Sequence, residues 1–195
     1  MDAKHVLVAG PSGGGKSTNL RELHARHDGA SIFLTTKSNE RTAHNYPPER
    51  IRRSSARYPG DIEQSRQWAI SRSETVQVIV DECQNAPSFR SGDGPLADGL
   101  HEDRSRGVKY VIATQNPMDL RTSESGYGPI QQAEYWVFVG KTKDWHVGFF
   151  NANNMADMID HLPESNFEYV VIEPTASLSG REKVVYRGQT EAKYG

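Results

Sequence analysis

The nonapeptide Gly10-Pro11-Ser12-Gly13-Gly14-Gly15-Lys16-Ser17-Thr18 constrains this chain more than any other stretch. It fits the pattern glycine, four free positions, glycine, lysine, then serine or threonine, which folds as a loop between a strand and a helix. Glycines let the backbone curl with its N–H groups pointing at a phosphate. Lys16 is placed to reach β and γ phosphates, and the Ser17 hydroxyl to ligate Mg²⁺. The helix that follows aims the positive end of its dipole at the same anion. The apolar run His5-Val6-Leu7-Val8-Ala9 upstream supplies the strand, and Lys16 to His27 reads as the helix. The expectation is a loop that binds a nucleoside triphosphate.

Composition narrows the setting. The 195 residues fit one domain spanning 1–195, long enough to bury about 70% of the unfolded surface. A net charge of −2 gives no global attraction to nucleic acid, so any such binding has to use a local patch. Cys83 is the single cysteine, which excludes an internal disulfide and suits a reducing compartment. No apolar run is long enough for a membrane span, so the reading is a soluble, intracellular chain and not an integral membrane protein.

Short β-branched runs alternate with helical stretches. Strands are expected at Lys4–Ala9, Ser31–Thr36, Val76–Asp81, Val108–Thr114, Tyr135–Gly140, Glu168–Glu173 and Lys183–Arg187. Helices are expected near Lys16–His27, Asp61–Ser73, Leu96–Arg106, Tyr127–Ala133 and Ala152–His161. This alternation predicts an α/β fold with a mostly parallel central sheet flanked by helices. The last two strands, joined through Ser177 to Gly180, read as an antiparallel hairpin at the sheet edge. The stretches 38–60 and 85–95 read as long functional loops.

Two further strand ends carry chemistry. Val76-Gln77-Val78-Ile79-Val80 runs into Asp81-Glu82. Asp81 is placed to hold the water shell of Mg²⁺, and Glu82 to act as general base toward an attacking water. Val108 to Thr114 ends in Gln115-Asn116-Pro117. A glutamine on a strand between the phosphate loop and the acidic strand can bond the γ phosphate or the attacking water.

The order of these three motifs, with Arg104-Ser105-Arg106-Gly107 just before the third strand, resembles the FtsK–HerA group of DNA-pumping ATPases over roughly residues 4 to 145. The small size is similar to genome-packaging ATPases of tailless icosahedral viruses with an internal membrane. The resemblance implies a RecA-like (ASCE) core and ATP with Mg²⁺ as cofactors. It also implies double-stranded DNA as partner and self-association into a ring, often a hexamer. Contacts with capsid-vertex or internal-membrane proteins are implied as well, with a location in host cytoplasm or on the virion at a packaging vertex. Many cellular members carry Arg-Pro after the glutamine, where this chain has Asn116-Pro117. The last 50 residues match no motif.

Ring ATPases complete the site with a cation from a neighbouring subunit, worth about 10³ to 10⁵ in rate where an arginine finger has been measured. Arg104 and Arg106 are the favoured candidates, with Arg121, Lys141 and Lys143 behind them. The basic run Glu49–Tyr58 and the segment Phe89-Arg90-Ser91-Gly92 are candidate DNA-facing elements. Either can also be an ordinary solvated surface. His101, His146 and His161 show no metal-ligand spacing.

Four functions remain to be weighed. An ATP-driven double-stranded DNA translocase that packages a viral genome into a preformed capsid fits the motif order best. A small-molecule or nucleoside kinase shares the loop but needs an acceptor site. A GTPase is disfavoured, because Thr142-Lys143-Asp144 lacks the spacing of a guanine reader. A cellular DNA-export or toxin-secretion type ATPase is the remaining alternative.

Overall fold

Strand β1 (Val6–Ala9) is buried along its whole length. Such a strand needs a neighbour on each edge and a cover on each face. The computed structural model, which describes residues 3–35, 51–55, 59–86, 89, 93–120, 130–174 and 180–190, supplies both. The other strands are β2 (Ser31–Thr35), β3 (Ile51–Ser55), β4 (Val76–Asp81), β5 (Val108–Thr114), β6 (Tyr135–Val139), β7 (Glu168–Ile172) and β8 (Val184–Gln189). They form an eight-stranded sheet of order β3-β2-β4-β5-β1-β6-β7-β8. Pairing is parallel from β3 through β6 and antiparallel for β6–β7 and β7–β8. This is the mostly parallel sheet with an antiparallel C-terminal edge that the sequence predicts.

Alternation along the strands divides the core between two faces. Val6, Val8, Phe33, Ile79, Val111, Ala113, Val137 and Val139 pack with Leu20 and Leu23 of α1 (Lys16–Arg26). Leu7, Ala9, Val78, Val80 and Ile112 point to the other face. There they meet Ile62 and Ala69 of α2 (Pro59–Ile70), Leu96 and Leu100 of α3 (Pro95–Glu102), and Phe149 and Phe150 of α4 (Asp144–Ala152). Arg66 of α2 bonds the buried Asp103 carboxylate at 2.8 Å, and the Tyr110 hydroxyl bonds the same carboxylate at 2.9 Å. That network ties α2 to the end of α3 and to β5.

Four local expectations change. Ile51–Ser55, placed in a loop by its arginines, forms β3; an edge strand tolerates charged residues that a central one does not. The helix expected over Ala152–His161 is a short 3₁₀ turn at Ala156–His161, while α4 precedes it. The expected helix over Leu96–Arg106 divides into α3 and a 3₁₀ turn at Asp103–Arg106. Of the helix expected at Tyr127–Ala133, residues 130–133 form turns and the rest lies outside the described residues. The link expected between the last two strands lies outside them up to residue 179.

The ends of β1 and β6 converge closely. A Cβ on Gly10 would stand 2.4 Å from the Val139 carbonyl oxygen. One on Gly140, where φ is +84°, would stand 2.6 Å from the Gly14 Cα. Gly148, on α4, has nothing within 4 Å of an added Cβ. Gly140→Ala is therefore expected to lower stability by about 1–3 kcal/mol, and Gly148→Ala to raise it by about 0.5–1 kcal/mol. Urea unfolding of both variants checks the contrast.

Buried histidines set the response to acid. His5 accepts from the Tyr110 N–H through Nδ1 and bonds the Leu100 carbonyl through Nε2, both at 3.1 Å, which fixes one neutral tautomer. A second proton would oppose the Tyr110 N–H. Burial, with Arg104 adding to it, lowers the pKa of His5 from 6.5 to about 4. Burial likewise lowers His24 and His146 to about 4. Because the folded pKa values lie below the unfolded value, the unfolded chain binds more protons between pH 6.5 and 4. Stability is full above pH 6.5 and is expected to fall through that window, by about 1.4 kcal/mol per pH unit for each histidine. Urea midpoints taken across the window check the slope; constant stability would contradict neutral buried imidazoles.

Candidate active site

The parallel strands β1, β5 and β4 are neighbours, so their C-terminal ends deliver three motifs to one edge of the sheet. Ala9 stands level with Thr114, and Val80 with Ile112. The loop after β1 is anchored where Gly10 N–H donates to the Thr114 carbonyl at 3.3 Å. It then closes on itself, with Gly14 N–H donating to the Pro11 carbonyl at 3.1 Å. Gly15, at φ 102°, turns the chain into α1. Its left-handed backbone is one that only glycine adopts at little cost. The first N–H groups of α1 have no partner within the helix and face the loop's concavity.

Lys16 and Asp81 meet here. Lys16 Nζ donates to Asp81 Oδ1 at 3.0 Å, and both side chains are buried, at 5% and 0% exposure. A buried ion pair survives only with good geometry, and removing one partner leaves a buried charge that costs about 3–5 kcal/mol. Ser17 and Thr18 follow on the first turn of α1 and line the same cavity of about 230 Å³. Pro11, Ser12, Gly13 and Gly15 line it too.

Glu82 stands at the mouth of that cavity with φ 53°, a left-handed conformation unusual for a side chain of its size. The turn lifts its carboxylate out of the sheet. Gln115 Nε2 donates to Glu82 Oε1 at 3.1 Å, and Asn85 Nδ2 approaches Oε2 at 3.5 Å. The structure thus joins Glu82 with Gln115, each one residue past the end of a different strand and 33 positions apart in sequence. Glu82, Gln115 and Lys143 also line a second, wider cavity of about 660 Å³, with Thr142 before α4 and Trp145 in its first turn. Cys83 is fully buried between Glu82 and the core, and burial pushes its thiol well up. That excludes it as a nucleophile.

The remaining sequence candidates separate clearly. Arg104 and Arg106 lie before β5, at the opposite end of that strand from Gln115. Arg104 pairs with Glu134 and donates to the Gln132 carbonyl at 3.1 Å. Neither arginine joins this chain's own cradle. Asn116 accepts from the Met118 N–H at 3.0 Å and shapes the 3₁₀ turn Pro117–Leu120. Phe89, read as part of a DNA-facing loop, is a fully buried core residue instead. Residues 90–92, Arg121, and the basic stretch outside β3 lie outside the described residues; the side chains of β3 do as well. Among the described residues no group of three or more His, Cys, Asp or Glu could hold a metal ion alone. No helix there is long and apolar enough to cross a membrane.

Sequence reasoning missed Phe167 and Gly140, both in contact with the phosphate loop. Phe167 N–H donates to the Gly14 carbonyl at 2.9 Å, and Gly140 N–H to the Glu168 carbonyl at 2.7 Å. The only signal available was the odd pairing of an aromatic with polar neighbours in Glu164-Ser165-Asn166-Phe167-Glu168.

No family model matches the chain, and no curated protein matches it. Solved structures do. The genome-packaging NTPase B204 of Sulfolobus turreted icosahedral virus 2, in complex with AMPPCP, aligns over 98% of this chain and 99% of its own, with TM-score 0.69 and 13% identity. The DNA-packaging ATPase B204 of Sulfolobus turreted icosahedral virus aligns over 98% and 100%, with TM-score 0.66 and 16% identity. The cytoplasmic domain of the type VII secretion ATPase EccC of Thermomonospora curvata aligns over 97% of this chain and 24% of that one, with TM-score 0.59 and 16% identity. At such identities likeness carries the fold. The chain has the RecA-like P-loop fold of these ATPases, the fold that its resemblance to the FtsK–HerA group implies.

Proposed function

We propose that the chain, acting as one domain over residues 1–195, hydrolyses ATP to move double-stranded DNA, packaging a viral genome into a preformed capsid. The observation that carries the hydrolytic part is the Gln115–Glu82 contact at the cavity that Lys16 lines, with Asp81 buried behind Lys16. A carboxylate there, with an amide to steer it, suits water as the nucleophile. Gly10 to Thr18 cradle the phosphates, and Lys16 turns from Asp81 to the β and γ oxygens as the triphosphate enters. Glu82 accepts a proton from the attacking water, while Gln115 bonds that water or the γ phosphate. The donor set fits magnesium, which takes one or two protein oxygens plus phosphate oxygens. Ser17 and Asp81 would hold the ion, and it would neutralise charge that develops on the phosphate.

DNA enters the proposal through the fold and the motif order. The packaging NTPases that the chain resembles span the same length. In a ring, Arg104 or Arg106 would act on the site of a neighbouring copy, since both lie away from this chain's own cradle. Capsid-vertex or internal-membrane proteins are the docking partners this reading implies, in host cytoplasm or on the virion.

Phosphate release from MgATP, with and without linear double-stranded DNA, tests the proposal. Hydrolysis is expected to rise several-fold with DNA and to lose that stimulation as salt is raised. Glu82→Gln is expected to bind ATP normally but to release phosphate at least ~100-fold more slowly. Hydrolysis indifferent to DNA at every salt concentration would overturn the translocase. Unimpaired turnover in Glu82→Gln would remove Glu82 as base, and phosphate transfer to an added acceptor would point to a kinase.

A further inference from the structure

Phe167 stands out among the described residues. It is 40% exposed, and its backbone is left-handed at φ 67°. For a bulky residue that conformation is an outlier, and it persists only where surrounding contacts hold it. Two hydrogen bonds do so. Phe167 N–H donates to the Gly14 carbonyl at 2.9 Å, and its own carbonyl accepts from the Thr190 N–H at 2.7 Å. The ring lies against the start of α1, with Cδ1 2.9 Å from where a Cβ on Gly15 would stand. An exposed aromatic is thus fixed on the wall of the phosphate cavity, which it lines together with Lys16, Ser17 and Thr18.

Topology says which part of a ligand it faces. In the order β4-β5-β1-β6-β7, the acidic strand end lies two strands from β1 on one side. Strand β7 lies two strands away on the other. Because β7 runs antiparallel to β6, its first residues sit at the same edge as the phosphate loop. A triphosphate whose terminal phosphate points at Glu82 therefore carries its nucleoside toward Phe167. Base-edge readers are scarce there. The Glu164 and Ser165 N–H groups are both taken by the Glu168 carboxylate, at 3.2 and 3.0 Å. Besides the ring, hydroxyls, glycine backbone and Pro11 line the cavity, with Lys16, Glu82 and Gln115 at its phosphate side.

We infer that Phe167 is the platform on which the nucleotide base stacks, and that the site reads the base by its face and not by its edge. This rests on the nucleotide-site reading above. A face offers no hydrogen-bond pattern, so adenine and guanine bind almost alike, and the smaller pyrimidines bind more weakly.

Calorimetric titration of wild type, Phe167→Ala and Phe167→Trp with the magnesium complexes of ATP, GTP, CTP and inorganic tripolyphosphate tests this. Wild type is expected to bind ATP and GTP within about threefold of each other, consistent with stacking that every base can make. Phe167→Ala is expected to lose about 10-fold or more for both purines while keeping its tripolyphosphate affinity. Phe167→Trp is expected to keep purine binding, with indole fluorescence quenched by ATP but not by tripolyphosphate. Unchanged purine affinity in Phe167→Ala would overturn the platform. So would an equal loss for tripolyphosphate, which would mean that Phe167 only braces the loop. A strong wild-type preference for one purine would overturn the face-reading part. If wild type bound tripolyphosphate but no nucleotide, the platform would fail while the phosphate cradle stood; if it bound neither, both would fall.

Discussion

A buried ammonium facing a buried carboxylate fixes the rest of this site. Lys16 and Asp81 are 3.0 Å apart, at the start of α1 and the end of β4, with one strand, β5, lying between β4 and β1. Neither charge can sit there alone without a large desolvation cost. The pair therefore holds the phosphate loop against the acidic strand in register and positions Glu82, one residue on, at the cavity mouth. Under the proposed function the pair is also exchangeable: a triphosphate would bring the charge that Lys16 needs, and a divalent ion what Asp81 needs.

The C-terminal strands take part in this arrangement. Through Gly140, Phe167 and Thr190 they form a chain of backbone hydrogen bonds that ends on Gly14 of the phosphate loop. Phe167, just before β7, thus walls one side of the cavity, while Glu82 and Gln115, just after β4 and β5, wall the other. A segment that matches no motif contributes the face on which, we infer, the base rests.

Much of this was legible in the sequence because it follows from local pattern. Val76–Asp81 and Val108–Thr114 are continuous apolar runs with chemistry at their ends, and both appear as strands with those bounds. What was hidden depends on tertiary context. Ile51-Arg52-Arg53-Ser54-Ser55 carries no apolar alternation and becomes a strand by pairing at the edge with β2. The α4 segment contains Gly148 and bulky aromatics of modest helix propensity. It folds as a helix because Phe149 and Phe150 pack on Trp136 and Phe138, with ring centres 5.1 and 4.8 Å apart for the nearest pairs. Phe167 was hardly legible, an aromatic among polar neighbours, since its position comes from a left-handed turn and a contact with a distant glycine. Phe89 misled for the opposite reason: flanked by polar residues, it nevertheless belongs to the core.

The most direct measurement of the central claim, that the Lys16–Asp81 pair is exchanged for a metal-bound triphosphate, is ATP affinity with and without magnesium in wild type and Asp81→Asn. Wild type is expected to bind ATP more tightly when magnesium is present. Asp81→Asn frees Lys16 and removes a ligand for the ion, so it is expected to bind metal-free ATP better than wild type does and to gain little from magnesium. The same magnesium dependence in both proteins would contradict the exchange.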